Sequence, residues 1–149
     1  MPRKLILGAS EVTTRKLEDN IHLVAFSITI TTPNIKYAGT NADVYIEIGG
    51  QSYLMDKPGD DFERGDTDTY TYRLNMTLGE LRDHQIRLHH NNKGRNSGWY
   101  CGRVEVKVQR DTSAYLYKYK EWSNVGWLAT DEPPYYTTEA ILQEGTPIG

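Results

Sequence analysis

One cysteine, Cys101, stands in 149 residues. No internal disulfide can form, and a chain of this length suits one domain with a core large enough to need no staple. Long apolar runs are missing as well. The N-terminus, MPRKLILGASEV, follows its basic residues with only Leu5 to Leu7, too short for a secretory h-region or a membrane span. No signal peptide or transmembrane segment is visible. Location stays open, with peripheral association the form of membrane contact to consider. Charge of one sign is scarce: 17 Lys and Arg against 20 Asp and Glu give a net −3. Without a basic stripe, nucleic acid is not an expected partner. Helical periodicity is nearly absent, LGELRDH being the single helix-like turn. No internal repeat or low-complexity segment stands out.

What is abundant points to strands. Eleven Tyr, three Trp and thirteen Gly, with many Thr, favour pleated surfaces and tight turns. In HLVAFSITITT the alternation predicts Val24, Phe26, Ile28 and Ile30 on a buried face. DVYIEIGG repeats it with Val44, Ile46 and Ile48, and TYTYRLNM with Tyr70, Tyr72, Leu74 and Met76. HQIRLHH offers Ile86 and Leu88, RVEVKVQ offers Val104, Val106 and Val108, and AYLYKYKEW sets Leu116 against three tyrosines. Short strands separated by turn signals predict an all-β, antiparallel sandwich. Residues 20–130 form the expected domain, with 1–19 and 131–149 as arms, the latter broken by Pro133 and Pro134.

The acidic stretch MDKPGDDFERGDTD places five Asp and one Glu between Asp56 and Asp68. Like charges this close repel and need water or a cation to offset them. Pro58 and Gly59 force a turn, around which Asp56, Asp60 and Asp61 supply short carboxylates. A hard cation such as Ca²⁺ takes six to eight oxygens from such a loop, although the spacing is not that of an EF-hand. Two more loops are rich in oxygen donors. PNIKYAGTNAD holds Gly39, Thr40, Asn41 and Asp43, and HHNNKGRNSGW holds Asn91 and Asn92. Alternate loops of a sandwich gather at one end, so these donors could meet there. The plainer reading of each is a solvated acidic loop and Asn or Gly doing turn work.

Three stretches, YAGTNADVYIEI, DFERGDTDTYTYRL and LGELRDHQIRLHHNNKGRNSGWYCGRVEV, together resemble the PLAT (lipoxygenase-homology) family in order and spacing. YKEWSN, with Trp122, is similar to its closing strand. The resemblance covers about residues 20–128, and the acidic loop is most similar to the alpha-toxin branch. It implies an eight-stranded β-sandwich that uses Ca²⁺ to dock on phospholipid or that docks a protein, and that catalyses nothing itself. It implies Ca²⁺ ligands at Asp56, Gly59, Asp60 and Asp61, with Lys57 where a neutral amide would suit better. Gly39 and Thr40 match the second loop, but Tyr37 stands where the family has an acid. Asn41 replaces an Asp, Asp43 lies nearby, and Asn91 follows His90 where an acid is usual. Fewer negative ligands imply weaker Ca²⁺ binding.

Membrane docking would use aromatic and apolar side chains on the same loops, with Tyr37, Tyr53, Leu54 and Trp127 as candidates. Trp99 and Trp122 match core positions of the family. Enzymatic chemistry finds little support. Cys101 opens an apolar strand as a buried thiol would. His89 and His90 fall on opposite faces of a strand, unsuited to one zinc, and the family's His at position 90 is a structural hydrogen-bonder. No nucleophile-elbow spacing occurs. Three function classes follow: a Ca²⁺-dependent module for a phospholipid membrane surface, a module for a protein partner, and a carbohydrate-binding sandwich.

Overall fold

The computed structural model describes residues 18–56, 61–93, 98–132 and 135–145. Two four-stranded antiparallel sheets form a sandwich. One has the order β4 (Thr67–Thr77), β1 (His22–Thr31), β7 (Val104–Arg110), β8 (Leu116–Trp122). The other runs β10 (Glu139–Gln143), β5 (Ile86–His90), β2 (Val44–Ile48), β3 (Gln51–Met55). A ribbon of β6 (Trp99–Cys101) and β9 (Gly126–Leu128) pairs with neither sheet but packs Trp99, Cys101 and Leu128 into the core. The eight-stranded, all-β expectation holds for the two sheets.

The alternating patterns generate the core. Val44, Ile46, Ile48, Ile86 and Leu88 of one sheet are fully buried against Phe26, Ile28, Ile30, Val104 and Val106 of the other, which are buried as completely. Each such side chain contributes about 1.5–3 kcal/mol relative to exposure. Gly49 and Gly50 make the two-residue turn between β2 and β3. Both have positive φ, 59° and 80°, as a hairpin turn matching strand twist requires. The short helix α1 (Leu78–Asp83) carries a reciprocal cap between Thr77 and Glu80 and buries Leu81.

Three expectations need correction. Val24 is not on the buried face of β1, because the pairing slips between Leu23 and Ala25, and Leu23 is buried in its place. A bulge of this kind shifts the two-residue alternation by one. Leu116 points outward, 40% exposed. β8 has its own irregularity opposite Val106 and Lys107, and Tyr119 packs on the core. Finally, 131–149 is not simply an arm, since Glu139–Gln143 completes the second sheet by pairing with β5. Its uneven apolar pattern reflects an edge strand whose buried residues are Ala140 and Gln143.

Gln143 explains how that strand is held. Its carbonyl oxygen accepts from the Tyr119 hydroxyl and Lys120 Nζ, each at 2.7 Å. Its amide donates to the carbonyls of Leu81 at 3.0 Å and His84 at 2.7 Å. One buried amide thus joins β8, α1 and β10. Gln143→Ala leaves these groups with lost partners and should cost about 2–3 kcal/mol, measured by urea unfolding. A loss within ~0.5 kcal/mol of zero would show that β10 is held by pairing alone.

Candidate functional site

The loops at the end of β1 meet as the sequence pattern anticipates. Thr40, Asn41, Asp43, Asp56, Asp61, Phe62 and Glu63 line a polar recess of about 150 Å³. The loop before β2 supplies the first three, and the β3–β4 loop supplies the others. Gly59 and Asp60 fall outside the described residues.

Phe62 locks the two loops together. Its backbone is left-handed, φ 58°, a conformation that costs a non-glycine residue about 1–2 kcal/mol. Burial of its ring against Tyr70 and Trp99, with centroids 5.7 and 5.2 Å away, offsets that cost. Its N–H donates to the buried Asp68 carboxylate at 3.0 Å, and its carbonyl accepts from Thr40 N at 3.2 Å. Gly39 is required by close approach: a Cβ there would lie 3.0 Å from Arg64 N and 3.2 Å from Phe62 O. Its place in the sequence is therefore explained by packing. It borders a neighbouring cavity of about 200 Å³ shared with Tyr37.

Asn91 comes to Asp43 and clamps it. Asn91 Nδ2 donates to Asp43 Oδ2 at 2.9 Å, and Asp43 N donates to Asn91 Oδ1 at 3.1 Å. A backbone bond from Asn91 N to Asp43 O, 3.1 Å, completes the clamp. His90, just before it, is buried. Asn92 N donates to its Nδ1 at 3.0 Å, which leaves Nε2–H to donate to Leu128 O at 2.7 Å. The neutral tautomer is thus built into the loop, and His90 is a structural hydrogen-bonder.

The donors of the recess are all oxygens, which suits a hard cation. Burial, then the charges of Asp61 and Asp56, push the Tyr72 hydroxyl up to about 12. Among the described residues, however, no three Asp, Glu, His or Cys converge closely enough to hold a metal. Oxygen donors are the kind Ca²⁺ takes, with Asp43, Asp56, Asp61 and Glu63 the carboxylates that line the recess. Glu63 and Phe62 line the recess without a sequence signal that marks them as site residues. Phe62 was marked only by being the lone aromatic in DDFERGD.

The apolar candidates separate. Tyr37 stands 74% exposed with φ 67°, and Leu54 is 44% exposed. Tyr53 is excluded as a projecting group, because its ring packs edge-on to Phe26 at 5.2 Å and beside Tyr72 at 5.1 Å. Alternation in β3 sends Tyr53 and Met55 inward and Leu54 outward. Trp127 is half-buried, packed edge-on to Tyr100 at 5.3 Å, whose N–H reaches Ala38 O beside Tyr37. Trp99 is core, donating from Nε1 to Thr32 Oγ1 at 2.9 Å, and Trp122 is half-buried. Cys101 is fully buried and its thiol is pushed up by burial, a poor nucleophile.

This sandwich with interlocked end loops is matched by a family model for the PLAT/LH2 domain over residues 26–126. The chain belongs to that family, whose domains are non-catalytic modules. It is 31% identical to human Lipoxygenase homology domain-containing protein 1 over 116 residues, 72% of this chain and 6% of that protein. It is 40% identical to Phospholipase C of Clostridium perfringens over 73 residues, 44% of this chain and 18% of that enzyme. The structure superposes on a calcium-dependent 11R-lipoxygenase with a TM-score of 0.55 and 26% identity, covering 84% of this chain and 18% of the lipoxygenase. The chain thus spans a small part of the length of each relative.

Two measurements follow. A site with a Kd of about 1 mM adds about 1 kcal/mol at 5 mM Ca²⁺, so the thermal midpoint should rise by several degrees over that in excess chelator. An unchanged midpoint would leave the recess merely solvated. Burial holds His90 below its ordinary value of 6.5. The unfolded chain therefore binds a proton first as pH falls, so this stability is full above about pH 6.5 and lost as pH falls through the folded value. His90→Gln should flatten the loss of stability between about pH 7 and 5, a residual slope coming from His89, which burial also lowers. An unaltered slope would assign the acid sensitivity elsewhere.

Proposed function

We propose that this chain is a non-catalytic module that docks on phospholipid membrane surfaces with the help of Ca²⁺. The observation that carries the reading is the oxygen-lined recess of Thr40, Asn41, Asp43, Asp56, Asp61 and Glu63, beside a smaller cavity that the exposed Tyr37 lines. The similarity to a phospholipase and to a calcium-dependent lipoxygenase supports it.

Asp56 and Asp61 would hold the cation, with Asp60 from the same loop, Thr40 and Asn41 adding neutral oxygens, and Asp43 held close by Asn91. Bound there, Ca²⁺ would cancel the tip's repulsion from anionic headgroups and offer coordination to their phosphate oxygens. Tyr37 would seat in the headgroup region, where an amphipathic ring is comfortable. Its ring stands exposed on a left-handed backbone. Leu54 adds apolar area from β3.

The test is sedimentation with vesicles of phosphatidylcholine and phosphatidylserine, in 1 mM Ca²⁺ or chelator. The chain should sediment only with Ca²⁺, and Asp56→Asn with Asp61→Asn should abolish this while keeping the wild-type circular dichroism. Sedimentation that persists in chelator, or in the double variant, sinks the reading. A protein partner then becomes the leading alternative.

A further inference from the structure

A second surface lies at the other end of the sandwich. Leu23 pairs with Met76, whereas Ile30 pairs with Asp68 near the acidic loop. The seven residue steps from Leu23 to Ile30 set the two ends roughly 23 Å apart. At the Leu23 end, α1 and the edge strand β8 bound a groove of about 390 Å³. Ile21, Leu23, Leu78 and Val108 give it an apolar floor, and Arg82, Arg110, Lys118 and Lys120 line it against a single carboxylate, Glu18.

The cations are not equally committed. Arg82 pairs with Glu18 and Asp19, and Lys118 with Glu121. Arg110 and Lys120 make no ion pair among the described residues. The Arg110 guanidinium lies 5.1 Å from the centre of the Tyr117 ring, and Lys120 donates to the neutral Gln143. A net-negative chain thus concentrates positive charge on a groove with an apolar floor. Beside it β8 has no partner on its outer edge among the described residues, and Tyr115 and Leu116 are exposed there. An open edge accepts an extended segment through backbone hydrogen bonds, and its lysines discourage indiscriminate pairing. The same lysines favour a segment carrying carboxylates.

We propose that this groove binds an extended acidic segment of a partner protein. Carboxylates of the segment pair with Arg110 and Lys120, and its alternate apolar side chains enter over Leu23 and Leu78. Residues 1–17 suit the groove poorly, since they carry Arg3, Lys4, Arg15 and Lys16 against Glu11. The surface is distinct from the acidic recess, and its occupancy needs no Ca²⁺.

The test uses fluorescently labelled octapeptides on the full chain in chelator, read by anisotropy. A set alternating Glu with Leu, Phe or Tyr is compared with matching Lys peptides. At least one Glu peptide should bind saturably, tightening at low salt, with no Lys counterpart doing so. Arg110→Ala with Lys120→Gln should weaken it at least tenfold. Arg110→Ala alone, which spares the Gln143 contact, should weaken it about threefold with an unchanged thermal midpoint. No saturable binding below about 1 mM, equal binding of Lys peptides, or indifference to both variants overturns the proposal. Phosphatidylserine vesicles that bind in chelator through Arg110 and Lys120, and that the Glu peptides do not displace, also overturn it, because the anion would then be a lipid headgroup.

Discussion

The end of this sandwich that carries the oxygen donors depends on the burial of one ring. Phe62 occupies a backbone conformation that an L-residue resists, and it stays there because Tyr70 and Trp99 enclose its side chain. From that position it spends both backbone groups on other segments, its N–H on Asp68 and its carbonyl on Thr40. Trp99 in turn is tied to Thr32 at the end of β1. The β1–β2 loop, the β3–β4 loop and β6, distant in sequence, thereby share one anchor. Carboxylates on either side of Phe62 are drawn to the mouth of the recess, where mutual repulsion alone would drive them apart.

Around that anchor the polar groups are arranged in layers. Thr40 is buried and uses its hydroxyl on Ala42 N, shaping the turn that leads to Asp43. Asn91 then fixes Asp43 through two side-chain bonds and one backbone bond. An Asn in that role holds a carboxylate without adding a charge. A carboxylate at position 91 would add charge to the tip and, when ionised, could not donate to Asp43, whereas Asn91 does donate to it. The restrained charge and the bracing of Asp43 are thus two results of the same residue.

Much of the fold was legible because one face of most strands is buried and the other is not. β2 and β7 follow the two-residue period without interruption, and their valines and isoleucines lie on the buried face that the period predicts. In β1 and β8 a slipped pairing shifts the phase at Val24 and near Leu116, and the local pattern does not show it, since a bulge belongs to the partnership of two strands. β10 was missed because its inward polar residue, Gln143, breaks any apolar alternation. At the acidic end, the meeting of Thr40, Asn41, Asp43, Asp56 and Asp61 followed from sandwich topology. The left-handed Phe62, the inward turn of Tyr53 and the bracing of Asp43 required knowledge of neighbours that the local sequence does not contain.

The late position of β10 has a consequence for the history of the chain. β5 is an inner strand only once Glu139–Gln143 has paired with it, some fifty residues after β5 has been made. Until then its outer edge presents unpaired backbone groups beside fully buried Ile86 and Leu88, the features that recruit foreign strands. At a synthesis rate of about 5–20 residues per second, that edge waits for seconds. Arg87 and its row of glutamates, Glu47 before the wait and Glu139 after it, place charge on this vulnerable strand. Solubility during synthesis, and not only the strength of the finished sheet, is written into that row.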